Sequence, residues 1–325
     1  MRFLLAATVT MSVSTAPAFA ASSYTSIVSF GDSLSDVGNV FIGSGRTEPA
    51  EPYDNGRFSN GPIWIEDLAA ALGLPPPTPS LEGGTDFAWG DATTGYSNTN
   101  NADVPNLVQQ VLQFTTATGG HAPSNALYTF SIGANDLFNI LDDHDAATAP
   151  VYAAGAASFV AREAGILQSD GAKDLVLFDV PNLGLTPAAA ANGPAAVMAA
   201  TQLSAFFDQQ VLSDLAPVEK KGLKVFDLDT FSLIDSVVAD PAAYGFLNVT
   251  DPCYVGPVTG GGTKCKDPNK YLFWDDVHPT ARAGEIIAEH AFRAVVPEPA
   301  TWVMMAIGFA TLGFAGLRVK RAKAA

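Results

Sequence analysis

Three side chains of the kinds used in nucleophilic catalysis stand out: Ser33 in Phe30-Gly31-Asp32-Ser33-Leu34-Ser35-Asp36, and Asp275 with His278 in Trp274-Asp275-Asp276-Val277-His278-Pro279-Thr280. A serine hydroxyl is scarcely ionised at neutral pH, so it needs a base, and an imidazole base needs a partner on its second nitrogen to fix its tautomer. A carboxylate three residues before the histidine can supply that partner within one turn. Pro279 holds His278 in extended backbone, which presents the ring. The other histidines lack this company: His121 sits in a Gly-rich loop, His144 in the acidic run 142–145, and His290 within a helical pattern.

Ser33 follows the apolar run Ile27-Val28-Ser29-Phe30. At the carboxyl end of a central parallel strand a hydroxyl stands in the crevice where such sheets bind ligands. By that segment alone, an ordinary cap at a strand-to-helix turn is an equal reading. Gly90, in Phe87-Ala88-Trp89-Gly90-Asp91-Ala92, could offer a backbone N–H to a developing oxyanion. Asn135, in Ser131-Ile132-Gly133-Ala134-Asn135-Asp136, could offer its side-chain amide. Each alone is a turn after a strand; both follow predicted strands at the same sheet edge as Ser33.

The elements that would position these groups alternate. Strands are predicted over 25–30, 86–89, 126–131, 174–178 and 223–226, and helices over 62–72, 104–116, 151–168, 188–215 and 281–294, the last capped by Thr280. Short apolar strands between helices favour a parallel α/β sheet. From 241 to 270 there is no periodicity, only turns around Cys253 and Cys265. In an oxidising compartment that pair reads as a disulfide, whose loop closure contributes about 3 kcal/mol. Without clustered Cys and His zinc is not expected, and the run Asp142-Asp143-His144-Asp145 reads as a solvated loop tip.

Both ends of the 325-residue chain read as addresses. Residues 1–20 combine Arg2, an apolar stretch and Ala18-Phe19-Ala20, the pattern of a cleavable signal peptide. Residues 300–317 are apolar and uncharged, long enough as a helix to cross a bilayer, and Arg318, Lys320, Arg321 and Lys323 follow, which favours a cytoplasmic tail. The stretch Val296-Pro297-Glu298-Pro299-Ala300-Thr301-Trp302 resembles the PEP-CTERM sorting signal. That resemblance implies recognition by an exosortase-type sorting enzyme and cleavage near the Pro-Glu-Pro; a plain membrane anchor is the alternative. The expected organisation is a signal peptide over 1–20, one domain over 24–296 and a sorting segment over 297–325. Setting both ends aside removes five of the 17 Lys and Arg and one of the 33 Asp and Glu, leaving a net charge near −20. Such a surface repels polyanions, so nucleic acid is not an expected partner.

Taken in order, the segments around Ser33, Gly90, Asn135 and Asp275/His278 resemble the SGNH/GDSL hydrolase superfamily, over essentially the whole region between the two ends. The resemblance implies a three-layer α/β/α flavodoxin-like sandwich with a five-stranded parallel sheet and no metal or other cofactor. It assigns Ser33 as nucleophile, His278 as base, Asp275 as its orienting carboxylate, and Ser33 N–H, Gly90 N–H and the Asn135 amide as the oxyanion hole. Many relatives carry Gly-Gly where this chain has Gly90-Asp91. The segment Asn55-Gly56-Arg57-Phe58-Ser59-Asn60-Gly61-Pro62 resembles the lipase and esterase branch. The expected function is an exported serine esterase acting on short to medium acyl chains. Polysaccharide O-acetyl groups and glycerophospholipids are alternative substrates, and a non-catalytic glycan-binding or matrix role is the rival from another class. A nucleotide-binding role is disfavoured, since the first strand-to-helix turn lacks a phosphate-binding Gly pattern.

Overall fold

The computed structural model describes residues 24–96 and 104–296. The signal-peptide expectation over 1–20 and the sorting-segment expectation over 297–325 therefore lie outside the described residues. In chain order the elements are β1 (Ser26–Gly31), α1 (Asn39–Gly43), α2 (Trp64–Leu72), α3 (Leu107–Thr118), β2 (Ala126–Ser131), α4 (Ala134–Asp143), α5 (Ala149–Asp170), β3 (Asp174–Phe178), α6 (Pro187–Ala191), α7 (Pro194–Glu219), β4 (Lys224–Leu228), α8 (Thr230–Ala239), α9 (Pro241–Tyr244), the two-residue strands β5 (Tyr254–Val255) and β6 (Thr263–Lys264), and α10 (Ala281–Val295).

Strands β1 to β4 pair in that order, all parallel. The fifth expected strand, 86–89, is not a regular element, yet it lies along the free edge of β1. Ser29 N–H donates to Thr85 O, Phe87 N–H to Ser29 O and Trp89 N–H to Gly31 O, with a single bridge between Ser29 and Asp86. Counting that segment, the spatial order 86–89, β1, β2, β3, β4 is that of a flavodoxin-like sheet, whose ligand crevice opens where the connections diverge, between β1 and β2. The Asp86 carboxylate accepts from Ser29 Oγ, Val37 N–H and Ala88 N–H, which ties the segment both to β1 and to the turn after Ser33.

Strand residues alternate between two buried faces. Val28, Phe30, Tyr128, Phe130, Leu175 and Leu177 join the main apolar core with residues of α3, α5 and α7. On the other face Trp64 of α2 packs against Phe178, ring centroids 5.1 Å apart and planes inclined by 51°, and α10 packs along α2. Burial on both faces explains why these strands read as continuous apolar runs rather than alternating ones. Thr280 caps α10 as expected, its Oγ1 accepting from Ala283 N–H at 3.3 Å. The predicted helix 188–215 is two helices, divided at Asn192-Gly193, where Gly193 takes φ +86°. Cys253 and Cys265 form the expected disulfide.

At the carboxyl end of β3, buried Asp179 faces Asp208 and Asp227. Burial first, then the charges of Asp208 and Asp227, push the Asp179 carboxyl up to about 9, and burial raises Asp208 and Asp227 as well. The folded chain thus keeps a proton that the unfolded chain releases, so stability is lost as pH rises from about 4 to about 9. Asp179→Asn is expected to raise Tm at pH 8, by roughly 2–4 °C for each kcal/mol recovered, and to change it little at pH 4. Thermal unfolding at the two pH values checks this; an equal shift at both would contradict it.

Candidate active site

The turn that carries Ser33 is built by backbone constraint. Gly31 ends β1 at φ +152°, and a Cβ there would lie 2.1 Å from Ser131 O. Gln110, fully buried on α3, closes the strand end from behind, accepting from Gly31 N–H and donating to Gly31 O, both at 2.8 Å. Asp32 N–H then donates to Ser131 O, while Asp32 O accepts from both Ser35 N–H and Asp36 N–H. Ser33 is left at the apex, its N–H without a partner among the described residues, its side chain turned into a cleft.

The structure brings Ser33 and His278 together from 245 residues apart: His278 Nε2 lies 2.8 Å from Ser33 Oγ. Its Nδ1 lies 2.7 Å from Asp275 Oδ2 and 2.9 Å from Oδ1. Asp275 also accepts from Val277 N–H at 3.0 Å, His278 N–H at 2.8 Å and Tyr53 Oη–H at 2.7 Å. Burial works to raise the Asp275 carboxyl, but the facing imidazole and the N–H groups of Val277 and His278 outweigh it and hold the group at about 2. Burial works to lower His278; the Asp275 charge and hydrogen bond outweigh it, with Asp32 adding to them, and the imidazole ends above its ordinary value. A neutral Nε2 facing a hydroxyl, with Nδ1–H held on a carboxylate, is the arrangement a general base requires.

Tyr53 is the site residue that motif reading missed. It belongs to an aromatic cluster with Tyr254 and Trp274, at ring separations of 5.4 and 6.0 Å. The disulfide underlies this cluster: Tyr254 adjoins Cys253, and Cys253 N–H and Tyr254 N–H donate to Phe273 O and Trp274 O. The cysteine loop thus buttresses the turn that bears Asp275. Phe58, from the Asn55–Pro62 segment, lies against the imidazole of His278 at 5.2 Å.

The expected oxyanion donors fare differently. Asn135 stands in the first turn of α4, clamped where Asp136 accepts from Thr94 N–H and Thr94 Oγ1 at 2.8 and 2.7 Å. One of its amide hydrogens goes to Ala92 O at 2.9 Å, leaving the other for the cleft, which Asn135 lines beside Ser33. Gly90 departs from expectation. Its N–H donates to Asp36 Oδ2 at 2.9 Å, a bond fixed because Asp36 is buried and gathers the N–H groups of Gly38, Asn39, Val40 and Gly90 on one carboxylate. The glycine is required for space instead: a Cβ at residue 90 would lie 2.5 Å from two atoms of the Phe58 ring. The next residue, Asp91, takes φ +68° and lines the cleft.

Asp32 also lines the cleft. Burial pushes its carboxyl up to about 7; Leu34 N–H and His278 pull it down, while Asp136 pushes it further up. The cleft has a volume of about 350 Å3, and Phe138 and Val277 stand between it and a wider groove of about 890 Å3 along the alanine-rich faces of α6 and α7.

A family model described as GDSL-like Lipase/Acylhydrolase matches residues 27–291. The chain belongs to that family. It is thus a hydrolase of the GDSL esterase/lipase kind. A second model, the PEP-CTERM protein-sorting motif, matches residues 295–321 and marks the chain for export to the cell envelope. Among relatives, a GDSL esterase/lipase of Arabidopsis thaliana is 29% identical, covering 84% of this chain and 88% of its own length. The esterase EstA of Pseudomonas aeruginosa is 31% identical over 89% of this chain, which spans only about half (49%) of that protein's length. Of solved structures, a lipase from a goat rumen metagenome aligns with a TM-score of 0.46 at 15% identity, covering 84% of this chain and 99% of its own. No helix among the described residues is long and apolar enough to cross a membrane, and the segment 300–317 lies outside them.

Proposed function

We propose that this GDSL hydrolase is a serine esterase of the cell exterior that cleaves carboxylic esters through Ser33, His278 and Asp275. The observation that carries the reading is the unbroken hydrogen-bonded chain from Ser33 Oγ through His278 to Asp275, with Ser33 and His278 both lining the cleft. Ser33 Oγ attacks the ester carbonyl as its proton passes to His278 Nε2. The tetrahedral oxyanion is met by Ser33 N–H and the free amide hydrogen of Asn135, the two donors left uncommitted at the cleft; Gly90 N–H is held by Asp36. The bond to the alcohol breaks as that oxygen takes the proton back from His278. Water, deprotonated by the same imidazole, then attacks the acyl-enzyme, and the carboxylic acid leaves as Ser33 regains its proton.

Export fits the disulfide, which persists only outside a reducing cytoplasm. An exosortase-type enzyme acting near Pro297-Glu298-Pro299 would release the hydrolase domain from its tail. The nucleophile is tested by treating the purified full-length chain with a fluorophosphonate. One equivalent of label on the peptide containing Ser33, with parallel loss of p-nitrophenyl butyrate hydrolysis, is expected. A folded protein that hydrolyses the ester yet carries the label elsewhere would overturn the assignment.

A further inference from the structure

We propose that the Cys253–Cys265 disulfide sets the activity of the hydrolase: it holds Asp275 in line with His278 by way of Tyr53, so the chain gains its full rate only where the bond can form. This rests on the serine esterase reading and adds regulation to it. The two cysteines close a loop that has little else to fix it. Between them lie the two-residue strands β5 and β6, and Gly260, Gly261 and Gly262, all at positive φ. Residues 255–257 and 261–264 are exposed, within reach of a small reductant. Cys253 and Tyr254 are buried, and with Tyr53 and Trp274 they make an apolar cluster apart from the main core, against which Val258 and Cys265 pack. Glycine-rich backbone has much conformational freedom to lose, and a cross-link removes part of it in advance.

Two sets of contacts run from this loop to the catalytic carboxylate. One passes through Tyr53. Val258 O accepts from Ala50 N–H at 2.8 Å, Ala50 O accepts from Tyr53 N–H at 3.0 Å, and the Tyr53 ring stands edge-on to those of Tyr254 and Trp274. Its hydroxyl donates to Asp275 Oδ2, the oxygen that lies 2.7 Å from His278 Nδ1. The other passes through Trp274, whose O accepts from Tyr254 N–H and whose N–H donates to His278 O at 2.7 Å. The remaining backbone donors to Asp275, Val277 N–H and His278 N–H, belong to its own turn. Among the described residues Tyr53 is thus the one donor that reaches the carboxylate from outside that turn, and its position depends on the loop.

Opening the bond is a balanced exchange. A dithiol passes two electrons and two protons to the disulfide, which becomes two Cys thiols, and is itself oxidised to a cyclic disulfide. The loop then loses its cross-link, and Tyr254 and Val258 no longer hold Tyr53 in one place. Asp275 keeps its charge and its turn but loses a donor and a restraint on the plane of its carboxylate. That is the state of the chain in a reducing cytoplasm, so ester hydrolysis stays low until export. In an oxidising compartment a disulfide donor reverses the exchange and restores the rate.

The test is the hydrolysis of p-nitrophenyl butyrate by the purified full-length chain before and after reduction with dithiothreitol, the appearance of both Cys thiols marking completion. On reduction kcat is expected to fall about tenfold while KM stays within about twofold. The acid limb of kcat/KM is expected to move to higher pH, because the carboxylate loses a donor and keeps its charge, and oxidised glutathione should restore both. Cys253→Ser/Cys265→Ser should behave as the reduced chain and ignore dithiothreitol. In Tyr53→Phe, where the link is already cut, reduction should lower kcat by less than about threefold. If the reduced chain unfolds, Tyr254→Leu in the oxidised chain takes its place: the disulfide stays, the ring between it and Tyr53 goes, and the same fall in kcat is expected. An unchanged kcat in the folded, reduced chain, a change in KM alone, an undiminished effect in Tyr53→Phe, or full kcat in Tyr254→Leu would each overturn the inference. Any of these with the fluorophosphonate still on Ser33 leaves the esterase reading standing, whereas label on another residue overturns that reading instead.

Discussion

Ser33→Ala is expected to lower kcat for p-nitrophenyl butyrate by about 10⁴ to 10⁶, the range by which serine hydrolases fall when the nucleophile is removed. The change deletes one oxygen and leaves the rest of the site standing. His278 keeps its two contacts with Asp275, and the turn is held by Asp32 and Gln110 rather than by the Ser33 side chain. The hydrogen bond lost is worth about 1 kcal/mol, so Tm should move little while activity nearly disappears. Ser35, two residues on, is the informative control. It is fully buried and its Oγ accepts from Trp64 Nε1 at 3.2 Å, away from the imidazole. Ser35→Ala should therefore cost stability through an unpaired indole N–H and leave kcat within about tenfold. If the two variants lost activity equally, or if Ser33→Ala retained turnover, the nucleophile would lie elsewhere.

Ser33, Asp275 and His278 were legible in the sequence because their chemistry is declared locally. A hydroxyl ends an apolar run, and a carboxylate and an imidazole stand three residues apart before a proline. Strands β2 and β3 were legible to the residue for a similar reason, being short, apolar on both faces and bounded by Gly, Asn and Asp. The remainder depended on direction and distance. Tyr53 acts on Asp275 across 222 residues, and nothing in its own segment says where its hydroxyl points. Gly90 illustrates the converse: its residue type permits an N–H to face the cleft, but the partner of that N–H is fixed by Asp36, 54 residues earlier. Helix α4 was masked by its own motif, since Gly133-Ala134-Asn135-Asp136 reads as a turn although Leu137, Ile140 and Leu141 repeat at helical spacing just beyond. The segment 86–89 takes its expected place along β1, held by backbone bonds and a single bridge, without becoming a regular strand.

Asp275→Asn is expected to lower kcat by about 10⁴ while shifting the acid limb of the pH profile, and the two effects have one origin. The base must be neutral to accept the Ser33 proton, so kcat/KM falls as pH falls through the His278 pKa. That pKa is raised above 6.5 because the stabilisation from Asp275 exceeds the opposing effect of burial. Asp275 itself, held at about 2, stays ionised throughout the working range and contributes no limb of its own. With asparagine the charge disappears while burial remains, so the limb should move to lower pH. The lost acceptor also frees the ring to take the wrong tautomer, which lowers the plateau. Asp32, pushed up to about 7, titrates in the same region, so the profile reports values shared between it and the imidazole, and Asp32→Asn is needed to separate them. Tyr53→Phe perturbs the same carboxylate in the opposite sense. It removes one of the donors to Asp275, a charge-assisted bond worth about 1.5–3 kcal/mol, which leaves the carboxylate more basic with its charge intact, so the acid limb should move to higher pH, opposite to Asp275→Asn. A limb that stays in place in Asp275→Asn would show that Asp275 does not set the basicity of His278.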